Sequence, residues 1–239
     1  MIGTILNALA VVAGGAAGLK TSRPLSATTQ SRLRIGLGAC TVWIGLNTTW
    51  SGLSGSFWQF GKQLLLVLLA LTLGKLVGQA LRLQRGFNRL GQFAKRKFDR
   101  AQTASTGHPG DGFVTCTILF CVAPLAVLGT LQEGLLDDFR LLAVKALMDG
   151  LATMGFAKCF GWGPLLAALP VLAYQGTLTL LAQWTAPYLH DHALLDSVSA
   201  TCGLLVFSVA LVILELKKIE LANYLPGLFV APLLTWFCR

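Results

Sequence analysis

Charged side chains are scarce in this sequence. Lysine, arginine, aspartate and glutamate make up 12% of its 239 residues, well below the roughly 25% that is usual in soluble domains. This scarcity excludes a globular core covered by a polar surface. Hydrophobic residues make up 54% of the chain, and its mean hydropathy of +0.67 indicates an integral membrane protein.

Long apolar runs recur along almost the whole chain. Each has about 17 to 25 residues, enough at about 1.5 Å per residue to cross a hydrocarbon layer of about 30 Å. Alternation of period two is absent from these runs, so helices are expected rather than strands. No stretch is left for a separate soluble domain. We therefore predict one all-α membrane domain over residues 1–239, a polytopic bundle of about eight transmembrane helices at residues 2–19, 35–53, 62–82, 112–131, 141–159, 163–184, 197–216 and 220–238.

The net charge of +9 is concentrated in alternate loops. A basic balance can indicate nucleic acid or a membrane surface, and its placement decides between them. Basic residues follow the odd-numbered runs, whereas the other loops are mainly acidic, so the positive-inside rule predicts that both termini lie outside the membrane. Nucleic acid is not an expected partner. The basic residues of the predicted inner loops are Lys20, Arg23, Arg32, Arg34, Arg82, Arg85, Arg89, Lys95, Arg96, Lys97, Arg100, Lys158, Lys217 and Lys218.

The longest basic loop, residues 82–111, is predicted to be cytoplasmic. Its first part, residues 82–100, can form a helix that extends the third span and lies against anionic lipid, because its apolar residues share one face. The alternative is a positive loop that only fixes the topology. Residues 101–112 are predicted to be a flexible link. The apolar face holds Leu83, Phe87, Leu90 and Ala94.

Glycine and proline indicate how the helices pack. Gly14 with Gly18 and Gly74 with Gly78 have the small-xxx-small spacing that lets two helices approach closely and that permits a homo-oligomer without requiring one. Five prolines inside the spans remove helical hydrogen bonds, so we expect some helices to be kinked or broken. These prolines are Pro124, Pro164, Pro170, Pro226 and Pro232.

Residues 3–18 resemble residues 163–178 when the two stretches are aligned without gaps. They share Gly, Leu, Ala, Leu, Val and Ala at matching positions. In the predicted topology the first run points inward and the sixth outward, so a true match would describe inverted repeats, which many secondary transporters contain. The alternative is a chance match, because chains rich in Ala, Leu, Val and Gly align easily.

Two ionisable residues of opposite charge lie inside the fifth run, Lys145 and Asp149. They are four residues apart, so they share a helical face about 6 Å apart along the axis. Each would cost about 2.5 to 3.5 kcal/mol alone at the bilayer centre, and lysine before aspartate is the weaker order for a helical pair. We therefore expect polar partners from other helices or a water-filled cavity. The alternative is a structural ion pair that locks the bundle.

Other polar residues of the apolar runs are candidate partners of this pair. They can line a solute or ion site, or each can form an ordinary hydrogen bond between helices. Acidic residues at the outer ends would attract cations; the alternative is a plain acidic loop. Lys75 and Lys158 are expected to snorkel to the membrane surface. The candidates are Asn7, Asn47, Gln132, Glu133, Gln175 and Asn223, and the acidic residues are Glu133, Asp137 and Asp138.

Signals of metal, cofactor or catalytic chemistry are few. The six cysteines have no CxxC spacing and no neighbouring histidine, so we expect packing residues rather than disulfides or a metal site. The sequence has no HExxH, no phosphate-binding loop and no nucleophile paired with a base. His190 and His192 around Asp191 could hold a metal at the outer face, although a solvated loop is the simpler explanation. We predict no cofactor and no enzymatic activity.

Four internal stretches and the opening segment resemble a known family. The stretches are residues 119–135, 145–157, 170–182 and 216–229, and the opening segment is residues 1–18. Together they are similar to the bacterial membrane family of YqgA and YdfK, a domain-of-unknown-function family numbered 554. The resemblance implies a multi-helix inner-membrane protein without an established activity. The motifs that carry it are Gln132, Glu133 and Gly134, then Lys145, Asp149 and Gly150, then Tyr174, Gln175 and Gly176, then Asn223 and Pro226.

The chain departs from the family pattern at three positions. Ala123, Leu125 and Glu133 stand where Gly, Met and Asp are usual in the family. The longer acid, Glu133, and a bulkier residue beside Pro124 could change the width of a solute pathway. The substrate of one family member therefore does not transfer to another.

The leading hypothesis is a permease, either a secondary transporter or a channel-like protein, for a small solute or ion. Lys145 and Asp149 would lie at its polar centre, with Gln132, Glu133 and Gln175 nearby. Proton coupling through Asp149 or Glu133 is a further hypothesis, because burial favours a neutral carboxylic acid while a neighbouring cation opposes it. The alternative is a structural or assembly membrane protein whose polar groups only specify helix packing.

Overall fold

The structure is a computed structural model that describes residues 1–21, 26–53, 57–104, 108–189 and 192–238. Every regular element in these ranges is a helix, which confirms the predicted all-α class. A short 3₁₀ turn, Ala186–Leu189, follows the ninth α-helix. In chain order the α-helices are α1 (Ile2–Lys20), α2 (Ala27–Ser51), α3 (Phe57–Ala80), α4 (Leu83–Ala104), α5 (Pro109–Val122), α6 (Pro124–Leu136), α7 (Arg140–Phe160), α8 (Gly163–Leu166), α9 (Ala168–Thr185), α10 (His192–Ile213), α11 (Leu221–Tyr224) and α12 (Gly227–Phe237).

Each predicted span falls on one helix or on a pair of helices with a short break between them. The fourth span is broken between α5 and α6, which are bent by 56°. Ala123 has extended backbone at this break, because the residue before a proline avoids the helical region. The eighth span is broken between α11 and α12, next to Pro226. Proline does not always break a helix, since Pro232 lies inside α12.

Four helical stretches of the described residues are long and apolar enough to cross a membrane, and the bent pair α5–α6 would make a fifth. The predicted count of about eight is therefore not confirmed. The shortfall has a physical reason: the first turns of α2 hold Thr, Gln, Ser and Arg, α7 carries Lys145 and Asp149 within its length, and the apolar stretch Leu221–Phe237 is shorter than a span. The four stretches are Ile2–Lys20, Trp58–Ala80, Gly163–Leu189 and Ala193–Ile213.

The chain divides into two compact units. In the first unit, α1 packs along α7. Gly3 faces Leu142 and Gly14 faces Gly150, so the two helices run in the same direction. A Cβ atom at Gly14 would lie 2.0 Å from the carbonyl oxygen of Gly150. Glycine is therefore what allows the two backbones to touch. The first unit comprises Met1–Thr29, Gly86–Gly134 and Asp138–Leu181.

The second unit has a similar close contact between α3 and the pair α11–α12. Gly74 faces Gly227 and Gly78 faces Asn223, so α3 runs antiparallel to them. A Cβ atom at Gly78 would lie 2.1 Å from the carbonyl oxygen of Asn223. Both small-xxx-small pairs thus pack inside the chain. The second unit comprises Gln30–Arg85, Leu135–Asp137 and Ala182–Arg239.

The surface of the second unit is apolar along α3, and this suits a membrane. Lys62 donates a hydrogen bond of 3.0 Å to the carbonyl oxygen of Cys238, so the start of α3 lies beside the end of α12. Exposed tryptophans occur at this end, as is usual at membrane interfaces. The exposed leucines of α3 are Leu65, Leu68, Leu69, Leu73 and Leu76, and the tryptophans are Trp58 and Trp236.

The basic helix α4 does not continue α3, in contrast to the expectation from sequence. The chain turns at Arg82, whose φ of 54° is left-handed. Most of α4 belongs to the first unit, where the ring of Phe98 packs edge-on against Phe156 with centroids 4.7 Å apart. Leu90 and Phe93 remain exposed. Helix α4 therefore packs through Phe98 and the buried Ala94 and leaves larger apolar side chains uncovered.

Candidate functional site

Buried polar side chains from four helices meet inside the first unit. They come from α1, α6, α7 and α9, and each is at most 8% exposed. Because polar groups are rarely placed in apolar interiors without partners, their contacts define a candidate site. We call it the polar cluster, which consists of Thr4, Asn7, Glu133, Lys145, Asp149, Gln175 and Thr179.

The ion pair of α7 lies within the polar cluster. Lys145 Nζ donates a hydrogen bond to Asp149 Oδ2, one helical turn away on the same face. Lys145 is only 1% exposed, and its ammonium also lies 5.8 Å from the centroid of the Phe120 ring. A fully buried ammonium is held by its counter-ion and by the face of an aromatic ring. The two charges predicted from sequence therefore contact each other directly.

Asn7 joins this ion pair to α9. Its amide nitrogen donates to Asp149 Oδ2 at 3.1 Å and to Gln175 Oε1 at 3.0 Å. One asparagine on α1 thus links α7 with α9. The expectation that the lysine–aspartate pair needs partners from other helices agrees with this geometry.

Two buried atoms of the cluster have no hydrogen-bond partner among the described residues. They are the amide oxygen of Asn7 and the amide nitrogen of Gln175. One is an acceptor and the other a donor. Leaving such an atom unpartnered costs about 1 to 3 kcal/mol, so the network does not satisfy itself.

Glu133 forms the second part of the polar cluster. Its carboxylate accepts a hydrogen bond of 2.6 Å from the backbone N–H of Gly3 and one of 2.9 Å from Thr4 Oγ1. Thr179 Oγ1 lies 3.5 Å away, and the amino group of Met1 lies 3.3 Å away. A carboxylate is stabilised at the first turn of a helix by free N–H groups and by the helix dipole. Glu133 is therefore buried as part of the site and does not form an exposed acidic mouth.

Gln132 contacts a neighbouring ion pair. Its amide nitrogen donates to Asp138 Oδ2 at 2.9 Å, and Asp138 also accepts bonds of 2.7 and 2.8 Å from the Arg140 guanidinium. Burial disfavours the charged form of Asp138, but the hydrogen bonds and charge of Arg140 outweigh it and hold the pKa of this carboxyl below its ordinary value. The Gln132 amide nitrogen thus bonds the loop before α7.

Asn223 lies in the second unit, with partners of its own. Its amide nitrogen donates to Glu220 Oε2 at 2.8 Å, and its amide oxygen accepts from the backbone N–H of Gln84 at 3.1 Å. These bonds tie the start of α4 to α11. The other candidate of this unit, Asn47, is exposed. The hydrogen bonds of Asn223 thus lie within the second unit.

Sequence reasoning missed Thr4, Thr179 and Phe120. The two threonines lie one helical turn from Asn7 and Gln175, so the spacing i, i+3 on α1 and i, i+4 on α9 could have indicated them. Phe120 had no such signal, because its position beneath the Lys145 ammonium depends on how α5 packs against α7.

Metal ligation is not indicated by the part of the chain that the structure describes. No group of three or more His, Cys, Asp or Glu side chains there could hold an ion. His190 and Asp191, which the sequence offered as a loop metal site, and Arg23 of the first inner loop lie outside the described residues. The loop metal site therefore remains untested.

Comparisons with known proteins agree over almost the full chain. Residues 2–236 match a family described as "Protein of unknown function (DUF554)". The chain is 30% identical over 232 residues to "Uncharacterized membrane protein YdfK" of Bacillus subtilis (strain 168), and 28% identical over 233 residues to "Uncharacterized protein YqgA" of Escherichia coli (strain K12). Each alignment covers 97% of this chain and 94% of the relative. No solved structure matches the chain. Because the family match covers nearly the whole chain and one relative is 30% identical over 97% of it, the chain belongs to the DUF554 family.

Proposed function

We propose that the protein is a membrane permease, a secondary transporter or a channel-like protein, for a small solute or ion that binds at the polar cluster. The observation that supports this most is the pair of unpartnered atoms on Asn7 and Gln175, next to the ions of Lys145 and Asp149. A polar network with only a structural role would be expected to satisfy its own atoms.

The energetic argument concerns the cost of the unpartnered atoms. The two atoms cost about 1 to 3 kcal/mol each. Leucine at position 175 would remove one of them but would leave the Asn7 N–H that bonds Gln175 without an acceptor. The penalty is offset whenever a water, solute or ion accepts from Gln175 and donates to Asn7. An acceptor, a donor, an ammonium and a carboxylate together can exchange hydrogen bonds with a polar guest.

Glu133 gives the proposal a second anionic position. It contacts Thr4 and Thr179, whereas Asp149 is joined through Asn7 to Gln175. Thr4 and Asn7 are three residues apart on α1, which separates the two levels by about 4.5 Å along the helix. Two carboxylates at successive levels could pass a cation or a proton along one face of α1.

Protonation of Asp149 would permit a second arrangement of the same groups. When Asp149 is ionised, the Asn7 amide nitrogen donates to it and to Gln175. When Asp149 is protonated, its O–H becomes a donor, and turning both amides by about 180° would let Asn7 Oδ1 accept from Asp149 and Gln175. The number of hydrogen bonds among the three residues is unchanged, so one proton could switch the cluster.

A flux assay on the full-length protein tests the proposal. A proton gradient would be imposed on proteoliposomes loaded with a pH-sensitive dye. Inorganic cations, amino acids and carboxylic acids would then be added, one class at a time. We expect one class to cause protein-dependent flux, and Asp149→Asn to reduce that flux by about tenfold or more, because it removes a charged hydrogen-bonding partner. Gln175→Leu should also reduce flux, and its unfolding temperature should stay near that of the wild type, because it removes one unpartnered donor but frees one N–H of Asn7.

The matched control is Arg34→Gln with Glu215→Gln. This double change also removes one positive and one negative charge, from an exposed ion pair of the second unit. It should leave flux unchanged. Wild-type flux in Asp149→Asn would show that the polar cluster does not carry transport.

A structural role is the second candidate, and the enclosure of Lys145 favours it. In this role Lys145, which is 1% exposed and bound to Asp149, only fixes the position of α7. Replacing a buried ion pair by apolar residues of similar size is often neutral or stabilising by about 1 to 4 kcal/mol. Under this role, Lys145→Met with Asp149→Leu should raise or preserve the unfolding temperature and leave any flux intact.

The remaining expectations about location also stay proposals. We place the protein in the bacterial inner membrane with both termini outside, with α4 on anionic lipid at the inner surface. The B. subtilis relative is named as a membrane protein, and the apolar helices are consistent with one. A homo-oligomer remains a prediction that the mass of the purified protein in detergent would test.

A further inference from the structure

The second unit contains a cavity that the polar cluster does not include. Its volume is about 510 Å³, within the range of about 300 to 1,000 Å³ that is usual for ligand sites. Helices α3 and α10 form two walls, and the segment between α10 and α11 forms a third. The polar side chains that matter for its chemistry are Lys75, Ser208, Lys217, Lys218, Glu220 and Tyr224.

The charge of this cavity is predominantly positive. Three lysines line it with a single carboxylate, Glu220, which already accepts a hydrogen bond of 2.8 Å from Asn223. Among the described residues, none of the three lysines forms an ion pair with a carboxylate. Three ammonium groups that share a concave space with one carboxylate leave it with a net positive charge, which raises the local potential and attracts an anion.

Lys75 is held toward this space. Its ammonium lies 5.6 Å from the centroid of the Tyr224 ring, which also lines the cavity, so a cation–π contact holds the ammonium beside that ring. The sequence suggested that Lys75 snorkels to the membrane surface. In the structure Lys75 lines the cavity together with Lys217 and Lys218.

We propose that this cavity binds a phosphate-bearing anion. A phosphate group offers several acceptor oxygens, so it can receive hydrogen bonds from more than one ammonium. Basic pockets between membrane helices are known to hold phospholipid headgroups on the cytoplasmic side, and the positive-inside rule predicts that Lys217 and Lys218 face that side. The exposed Leu76 on α3 would lie along an acyl chain. A lipid headgroup and a soluble phosphate share this chemistry.

The test measures binding to the full-length protein in detergent. Native mass spectrometry would count bound phosphatidylglycerol, with phosphatidylcholine as the neutral comparison, and glycerol phosphate and inorganic phosphate would be added as competitors. We expect one phosphatidylglycerol or one phosphate to bind, and Lys75→Gln with Lys217→Gln to weaken that binding by about tenfold or more. Displacement of the lipid by millimolar glycerol phosphate identifies a soluble ligand, and failure of displacement identifies a lipid site; either result supports the proposal.

The matched control is Lys20→Gln with Lys158→Gln, which removes two positive charges from other predicted inner loops. It should bind as the wild type does. If the cavity variant does not fold, Lys218→Gln alone should still weaken binding. The proposal is overturned if neither probe binds the wild type, if the cavity variants bind normally, or if the control loses as much affinity as the cavity variant.

Discussion

Replacing Gly14 by alanine tests the contact on which the polar cluster depends. The added Cβ would lie 2.0 Å from the carbonyl oxygen of Gly150 and 2.8 Å from its Cα atom. Ordinary contacts of a Cβ atom begin at 3.4 Å, so α1 and α7 would have to separate by over an ångström. The opposing atoms are backbone and cannot turn away.

The expected cost follows from this geometry. Forcing a methyl group into a filled interior typically costs about 1 to 3 kcal/mol. Because backbone opposes backbone here, we expect the upper part of that range. The separation would also lengthen the hydrogen bond from Asn7 to Asp149, now 3.1 Å, so Gly14→Ala should lower both the stability and any flux.

The assay is equilibrium unfolding of the purified protein in mixed micelles, followed by circular dichroism. Gly91→Ala in α4 is the control, because a Cβ at that position meets nothing within 4 Å. Alanine is favoured over glycine in a helix by about 1 kcal/mol, so the control should be neutral or stabilising. If Gly14→Ala were as stable as Gly91→Ala, the parallel contact of α1 with α7 would be wrong.

Two further predictions concern charge. Arg140 holds the pKa of Asp138 below its ordinary value, so this carboxylate contributes stability that is present above its unfolded pKa and is lost as the pH falls through the lower folded pKa. Arg140→Gln should reduce this acid-dependent loss in a pH series of unfolding midpoints, whereas Arg34→Gln should preserve it; equal profiles for both would contradict the assignment. Neutralising Arg89 and Arg96 of α4 should weaken the preference of the detergent-solubilised protein for phosphatidylglycerol over phosphatidylcholine by about 1 kcal/mol per residue at low salt, and a lipid preference that is independent of both charge and salt would argue against lipid contact.

Much of the fold could be predicted from the sequence because apolar length and proline are local signals. The fourth span has enough apolar residues for one helix, and the proline after Ala123 indicates where it breaks. Glycine spacing indicated close helix contacts, although it did not say that Gly14 faces Gly150. The count of crossings was less predictable, because α2 and α7 combine helical length with polar residues.

The candidate site was only partly predictable. Lys145 and Asp149 are conspicuous in an apolar run, and their shared helical face follows from spacing alone. Asn7 and Gln175 could be named as polar residues but not joined to each other, since they are far apart in the chain. Asn223 was grouped with Asn7 and Gln175 because all three lie in predicted apolar spans, yet Asn223 is bonded within the second unit.

The sequence by itself determined that this chain is helical and apolar, that most of its positive charge lies between the apolar runs, and that one apolar run carries two opposite charges one helical turn apart. Each of these depends on composition or on spacing within one helix. Only the tertiary structure decided that Asn7 bridges Asp149 and Gln175, and that Lys75 shares a cavity with Lys217 and Lys218. The reason is that a hydrogen bond acts over about 3 Å, and residues more than a hundred positions apart come within that distance only through packing.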